Sequence, residues 1–326
     1  MKRRLLLPLP GLLLCMLIAL AATLIAARFG GPALLYALLG GMAFHFLSGK
    51  AWLAPGIGLS SRTVLRLGVA LLGARISLDQ ILALGWTPLV LVLVAVPSTI
   101  LFGVFCATRL GLSRSQGTLT GGSVAICGAS AAMAVAAVLP GRPESERQLI
   151  FTIVGVTALS TIAMVLYPLV AELLGLSEQQ AGFFLGGSIH DVAQVVGAGY
   201  MMSPAIGDIA TFTKLLRVAL LAPAVIVISL LISRNGGASS GGASLPGFLV
   251  AFAVLVAVNS LGWIPSSLQA PLEMLSRACL VVAIAAIGVK ASFRELAASG
   301  WRAALLLILE TLFLAALVLA GIHLLD

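Results

Sequence analysis

The chain has 326 residues, of which 60% are hydrophobic and 9% are charged, and its formal net charge is +8. A water-soluble domain of this length could not bury so much apolar surface, so the composition predicts an all-α polytopic membrane protein with the lipid bilayer as its surroundings. The apolar runs are far longer than ten residues and do not alternate, which excludes a transmembrane β-barrel. The basic residues stand singly at the ends of apolar runs, so the positive charge does not indicate a nucleic-acid partner.

Counting about twenty residues for each crossing, the apolar runs predict about 11 transmembrane helices. They fall near residues 5–27, 32–48, 57–76, 84–108, 115–139, 148–174, 180–201, 209–233, 245–262, 268–288 and 301–324. The first run is long and has no small-residue cleavage site, so we predict a transmembrane helix there rather than a signal peptide. The distribution of Lys and Arg predicts a cytoplasmic N-terminus. The whole chain forms one transporter domain in this interpretation, with a flexible Gly/Ser linker at residues 233–244.

A cryptic repeat relates two helix–loop–helix corners, near residues 62–110 and 277–325. The segments 73–86 and 288–301 align at a constant offset of 215 residues. The identical pairs are Gly73 and Gly288, Ser77 and Ser292, Gly85 and Gly300, and Trp86 and Trp301. The copies begin seven predicted helices apart, an odd number, so they face opposite sides of the membrane. Inverted repeats of this kind are typical of secondary transporters, and coincidence is the alternative.

Two predicted spans are interrupted by glycine. The first contains GGSVAICGAS at 121–130 and the second contains GGSIHDVAQ at 186–194. Irregular backbone at membrane depth is tolerated only where protein or a wet cavity satisfies it, and the N-terminus of a half-helix can bind an anion. We therefore predict a substrate site formed by Gly121, Gly122, Ser123, Cys127, Gly128, Ser130, Gly186, Gly187, Ser188 and Gln194. The alternative is that these small residues only permit close helix packing.

His190 and Asp191 are adjacent ionisable residues inside the second interrupted span. Such groups are costly at membrane depth and usually functional, so we predict that they couple or gate transport. The alternative is a polar pair that only stabilises the broken helix, with Gln194 one turn further on.

Three further ionisable residues are candidates for coupling or gating. Lys214 and Arg217 are three positions apart and so share one helical face. They are either interfacial anchors whose charged ends reach the headgroup region or a pair that attracts an anion. Glu310 is a lone acid inside the last predicted span.

No enzyme or metal signature is present in the sequence. There is no P-loop, GxSxG or HExxH motif, which argues against an enzyme and against an ATP-driven pump. The four cysteines and three histidines are widely separated and show no ligand spacing. We therefore expect neither a metal nor a cofactor.

Four segments carry a resemblance that covers essentially the whole chain. They are LLGARISLDQI (71–81), ICGASAA (126–132), GGSIHDVAQVVGAG (186–199) and KLLRVALLAP (214–223). Together they resemble the YeiH-like family of sulfate exporters of bacterial inner membranes, grouped by similarity with the cation/proton antiporter and anion transporter clan. The resemblance implies inverted repeats with broken, crossing helices, an inner-membrane location and a sulfate-like anion as substrate.

The function we expect is a secondary transporter that exports a small inorganic or sulfur-containing anion by alternating access. H⁺ or Na⁺ is the expected coupling ion. One alternative is a cation/proton antiporter that uses Asp191, and another is an anion channel or a membrane sensor that does not transport. A homo-oligomer stays open.

Overall fold

A computed structural model describes residues 8–29, 32–140, 145–233, 247–291 and 301–325, and the regular secondary structure within these ranges is entirely helical. The predicted all-α fold class is therefore confirmed. The part of the predicted Gly/Ser linker that follows Ser233 lies outside the described residues.

Short and long helices follow one another without a regular order. Those of the first half are α1 (Leu9–Phe29), α2 (Ala33–Ala43), α3 (Ala54–Leu59), α4 (Leu65–Leu72), α5 (Leu78–Ala83), α6 (Thr87–Arg109), α7 (Arg114–Ala125) and α8 (Ala129–Ala136). Those of the second half are α9 (Ser145–Leu173), α10 (Glu178–Ser188), α11 (Val192–Met202), α12 (Pro204–Ala219), α13 (Leu221–Ser233), α14 (Gly247–Ser260), α15 (Ser266–Lys290) and α16 (Trp301–Leu325). A 3₁₀ turn, His45–Leu47, precedes α3, and a π-helical turn, Ser60–Val64, joins α3 to α4.

Six stretches of helix among the described residues are long and apolar enough to cross a membrane. They are Leu9–Phe29, Thr87–Arg109, Arg147–Leu173, Pro204–Leu231, Ser267–Lys290 and Trp301–Leu324. The predicted spans at 115–139 and 180–201 are absent from this set because each is divided into two short helices, as their glycines indicate. The protein is therefore a multi-pass membrane protein with two interrupted helices, and the count of 11 stays a prediction.

The chain forms two compact units. The first comprises Met1–Leu84, Val196–Asp208 and Pro246–Ala291, and the second comprises Gly85–Val195, Ile209–Leu245 and Ser292–Asp326.

Within the first unit, helices approach so closely that their backbones touch. A Cβ atom added to Gly41 of α2 would lie 2.2 Å from the carbonyl oxygen of Ala285, and one added to Gly288 would lie 2.3 Å from that of Leu38. α2 and α15 therefore pack at glycine pairs, in the manner of small-residue contacts in membrane proteins.

The helices of the predicted repeat associate with their counterparts. α4 packs against α15 inside the first unit, and α6 packs against α16 inside the second. Gly85 has φ +68°, a left-handed conformation that favours glycine, immediately before α6 begins. Its counterpart Gly300, like Ser292, lies outside the described residues. The inverted orientation of the copies stays a prediction.

Gly41→Ala is expected to destabilise the first unit by roughly 1–3 kcal/mol, because neither contacting backbone can move away from the new methyl group. The measurement is the apparent melting temperature of the purified protein in detergent. Gly58→Ala is the matched control, since a Cβ there meets no atom within 4 Å. Equal melting temperatures for the two variants would contradict the close contact.

Candidate functional site

The two interrupted helices, whose breaks both lie in the second unit, are built alike. α7 begins after Ser113, whose hydroxyl accepts a hydrogen bond from the Gln116 amide at 3.1 Å. α10 begins after Ser177, which forms a reciprocal capping box with Gln180. Both helices therefore start at a defined residue and have a fixed register.

α7 ends two residues after its GGS sequence, and α10 ends at the serine of its own. Glycine is a poor helix former, and a serine hydroxyl that bonds back to the preceding turn often bends the helix. The hydroxyl of Ser123 donates to the carbonyl of Leu119, and that of Ser188 donates to the carbonyl of Phe184. These two hydroxyls, predicted to bind substrate, are thus engaged within their own helices.

The two breaks lie beside each other. They span residues 126–128 and 189–191, and the chain then re-enters a helix as α8 or α11. Gly128 has φ +61° and ψ −121°, a conformation that residues with a Cβ rarely adopt. A Cβ at Gly128 would lie 3.8 Å from both the Cβ of Asp191 and the carbonyl oxygen of His190. The N-termini of α8 and α11 are therefore neighbours.

Lys214, on α12, binds the backbone of both breaks. Its Nζ donates to the carbonyl oxygens of Ile126 at 2.6 Å, Ile189 at 2.9 Å and His190 at 2.5 Å. An ammonium group has three hydrogens to donate, so all of them are used on backbone.

Arg217, one turn further along α12, binds the last carbonyls of α7 and α10. Its guanidinium donates to five carbonyl oxygens at 2.8–3.1 Å. They belong to Val124, Ala125, Gly186, Gly187 and Ile189. The final carbonyls of a helix have no intrahelical partner, and a cation near them is favourable with respect to the helix dipole. Arg217 therefore holds the C-terminal ends of both half-helices together.

Both cations are completely buried. The interpretation of Lys214 and Arg217 as interfacial anchors is wrong, because their charged ends meet carbonyls from distant segments instead of headgroups. Neither forms a salt bridge within the described part of the chain. Asp191, which is partly exposed, interacts electrostatically with Lys214.

The glycines of the two GGS sequences serve packing. A Cβ on Gly121 would lie 3.1 Å from Ile100, one on Gly122 would lie 3.2 Å from Val135, one on Gly186 would lie 2.4 Å from Ala210, and one on Gly187 would lie 2.9 Å from Val318. These contacts fit the alternative that the glycines permit close helix packing. The role of these positions in binding substrate stays a prediction. Cys127 is buried, whereas Ser130, at the start of α8, is exposed.

His190 and Asp191 face different surroundings. The Nε2 of His190 lies 2.9 Å from the Thr311 hydroxyl of α16, and that hydroxyl donates to the carbonyl of Leu307 at 2.7 Å. A hydroxyl has one hydrogen, so His190 is the donor in this pair. The Asp191 amide donates to the hydroxyl of Ser160 at 3.1 Å. The His190 side chain and the Asp191 amide therefore bond the second break to two neighbouring helices, α16 and α9.

Gln194 and Glu310 are also buried. The Nε2 of Gln194 lies 3.5 Å from the Thr161 hydroxyl, and the Oε1 of Glu310 lies 2.7 Å from that of Thr120 on α7. Sequence reasoning missed the hydroxyl partners on α7, α9 and α16. Threonine and serine are common in membrane helices, so only spatial proximity identifies them.

Fold and site together define a multi-pass helical membrane protein with two discontinuous helices whose breaks are joined by buried cations. The chain belongs to the family described as "Conserved hypothetical protein 698", whose model matches residues 10–307.

Related proteins match this chain over almost its full length. A UPF0324 membrane protein of Chlorobaculum tepidum is 50% identical over 96% of this chain and 88% of its own. The UPF0324 membrane protein TauZ of Paracoccus denitrificans is 49% identical over 97% of this chain and 95% of its own. A UPF0324 membrane protein of Rhizobium meliloti is 46% identical over 96% and 91%. No solved structure matches the chain.

Arg217→Lys is expected to destabilise the protein by roughly 3–5 kcal/mol, since a lysine amine cannot reach five carbonyls and leaves several buried without a donor. Thermal unfolding in detergent measures the effect. Arg109→Lys, at the exposed C-terminal end of α6, is the matched control and should unfold like the wild type. A stable Arg217→Lys variant would show that Arg217 does not support the breaks.

Proposed function

We propose that this protein is a secondary transporter that moves a small anion across the bacterial inner membrane, in the direction of export. The observation that carries the proposal is the polarity of the two breaks: their carbonyls are bound by Lys214 and Arg217, and the amide ends of α8 and α11 lie side by side.

The charges near the breaks favour an anion. Each helix end carries about half an elementary charge, positive at the N-terminus and negative at the C-terminus. The C-termini of α7 and α10 therefore offset about one of the two cationic charges, and the N-termini of α8 and α11 add about one back. With Lys214 and Arg217 both protonated and Asp191 ionised, a surplus of about one positive charge is left.

The donors for an anion are the first amides of α8 and α11. These N–H groups, including those of Ala129, Ser130, Val192 and Ala193, have no acceptor within their own helix. Ala129 is partly exposed and Ser130 is exposed, whereas Val192 and Ala193 are buried, so α8 presents the more exposed of the two helix starts. An oxyanion with several acceptor oxygens suits such a set, and the sulfate-like class is the one we propose.

A cation/proton antiporter fits this arrangement less well. A metal cation in an interrupted helix is usually bound by unwound backbone carbonyls. Here the carbonyls of Ile126, Ile189 and His190 already accept hydrogen bonds from Lys214. Asp191 alone would then have to bind the cation beside a buried ammonium group.

Alternating access, rather than an open channel, is supported by the predicted repeat. Its matching helices pair inside each unit, α4 with α15 and α6 with α16. Rocking of one repeat-related bundle against another is the usual transport movement of such folds.

Ala129→Pro tests the amide site. Proline is tolerated at the first position of a helix and removes one N–H, so α8 should persist while one donor is lost. Because a hydrogen bond to a charged group contributes about 1.5–3 kcal/mol, we expect sulfate to bind roughly 10- to 100-fold more weakly. The measurement is the concentration dependence of radiolabelled sulfate flux in proteoliposomes, with sulfite and a small sulfonate as competitors.

Ala33→Pro, at the first position of α2, is the control and should leave flux unchanged. Unaltered flux in a correctly inserted Ala129→Pro variant would contradict the amide site. Sodium or proton exchange without anion movement would favour the antiporter instead. Anion current proportional to the gradient without exchange would favour a channel, and binding without flux would favour a sensor.

A further inference from the structure

Glu310 is a buried acid in the second unit, and the proposed anion site does not include it. Its side chain is fully buried on α16. Its Oε1 lies 2.7 Å from the Thr120 hydroxyl, and its Oε2 has no hydrogen-bond partner among the described residues. Because an ionised carboxylate is costly in such surroundings, this position needs a reason.

The neighbouring helices leave space for this carboxyl group but supply no counter-charge. A Cβ on Gly103 of α6 would lie 2.4 Å from Oε1, so only glycine leaves room there. Glu310 takes part in no salt bridge of the described chain. The titratable groups facing this part of α16 are Cys106 of α6, which interacts electrostatically with Glu310, and His190, which binds the adjacent Thr311. α7 contributes Thr120, which is neutral. Among the described residues, no charged side chain of α9 or α10 lies within bonding distance of Glu310.

The Thr120 hydroxyl has a single hydrogen and three acceptors within reach, the weakest being the carbonyl of Gly117 at 3.4 Å. It lies 2.7 Å from Glu310 and 3.0 Å from the carbonyl of Gln116. When Glu310 carries a proton on Oε1, the oxygen that has a partner, it donates to the Thr120 hydroxyl, and that hydroxyl donates to the carbonyl of Gln116. When that proton leaves, Thr120 must turn its hydrogen to the carboxylate and release Gln116. One proton therefore changes the hydrogen bonds of α7.

α16 connects this change to both interrupted helices. Thr120 immediately precedes the GGS sequence of α7, and Thr311, the residue after Glu310, accepts the hydrogen bond from His190 in the second break. Consecutive residues of one helix thus contact both discontinuous elements.

We propose that Glu310 is the proton-binding residue that couples anion transport to proton movement. The assignment rests on the transport function proposed above. The proton binds the carboxylate in one state and leaves in the other, with rotation of the Thr120 hydroxyl as the accompanying change. Asp191 and His190 then act at the anion site without carrying the coupled proton.

The first experiment compares wild type with Glu310→Gln in proteoliposomes that contain a pH-sensitive dye. With a sulfate gradient, the wild type should move protons together with sulfate. Glutamine has the shape of the protonated acid, so the variant should still exchange sulfate for sulfate but lose the proton movement and the pH dependence of flux. Glu172→Gln, at an exposed acid of α9, is the matched control and should behave as the wild type.

The second experiment needs no transport. Infrared difference spectra between alkaline and acidic protein should show the carbonyl stretch of a protonated carboxyl group, and this band should be absent in Glu310→Gln. Thr120→Val should shift the band, because the acid loses its hydroxyl partner. Thr118→Val is the control, since Thr118 makes the same bond to the carbonyl four residues back, at 3.0 Å, without contacting Glu310.

Proton movement that persists in Glu310→Gln, or a spectrum without a band that depends on Glu310, would overturn the assignment. A wild type that shows the band but transports no anion would instead contradict the proposed function. The two failures are therefore distinguishable.

Discussion

The interaction on which the site depends is the binding of backbone carbonyls by Lys214 and Arg217. A helix that stops at membrane depth exposes carbonyls that water would otherwise satisfy, and lipid offers no donor for them. Here α12 supplies two cationic side chains, one turn apart, which reach the ends of both half-helices. Either break alone would be a costly defect. Joined through the same two side chains, the breaks form one fixed element.

The sequence predicts the breaks but not their partners. The GGS sequences and the capping serines are local features, so the start and end of α7 and α10 follow from nearby residues. The partners of Arg217 lie 28 to 93 residues away, and nothing local marks a carbonyl as unsatisfied. Lys214 and Arg217 lie near the C-terminal end of α12, just before an apolar run, a pattern that indicates an anchored helix end as readily as side chains that bind buried carbonyls. Only the three-dimensional structure decides between these alternatives.

The glycines show a similar division. The sequence pattern leaves two roles open for all of them, a ligand-binding backbone or close helix packing, and the structure distinguishes positions that turn from positions that pack. Gly128 has a conformation that requires glycine, whereas Gly121 and Gly186 permit helices to touch. Both roles require glycine in the same kind of apolar run, so the two kinds of position look alike in the sequence. Composition can therefore locate an unusual region of a membrane protein without distinguishing the backbone that turns from the backbone that packs.

The geometry also assigns the polar groups of the breaks to different tasks. Carbonyls of both breaks accept hydrogen bonds from the protein's own cations, and the function we propose uses the amides at the starts of α8 and α11 to bind an anion. Glu310 lies away from the break residues, against Thr120 of α7, so a proton can bind or leave there without occupying the amide ends of α8 and α11. We propose that α16, which contacts both interrupted helices, lets the proton site influence the anion site through hydrogen bonds instead of by direct contact.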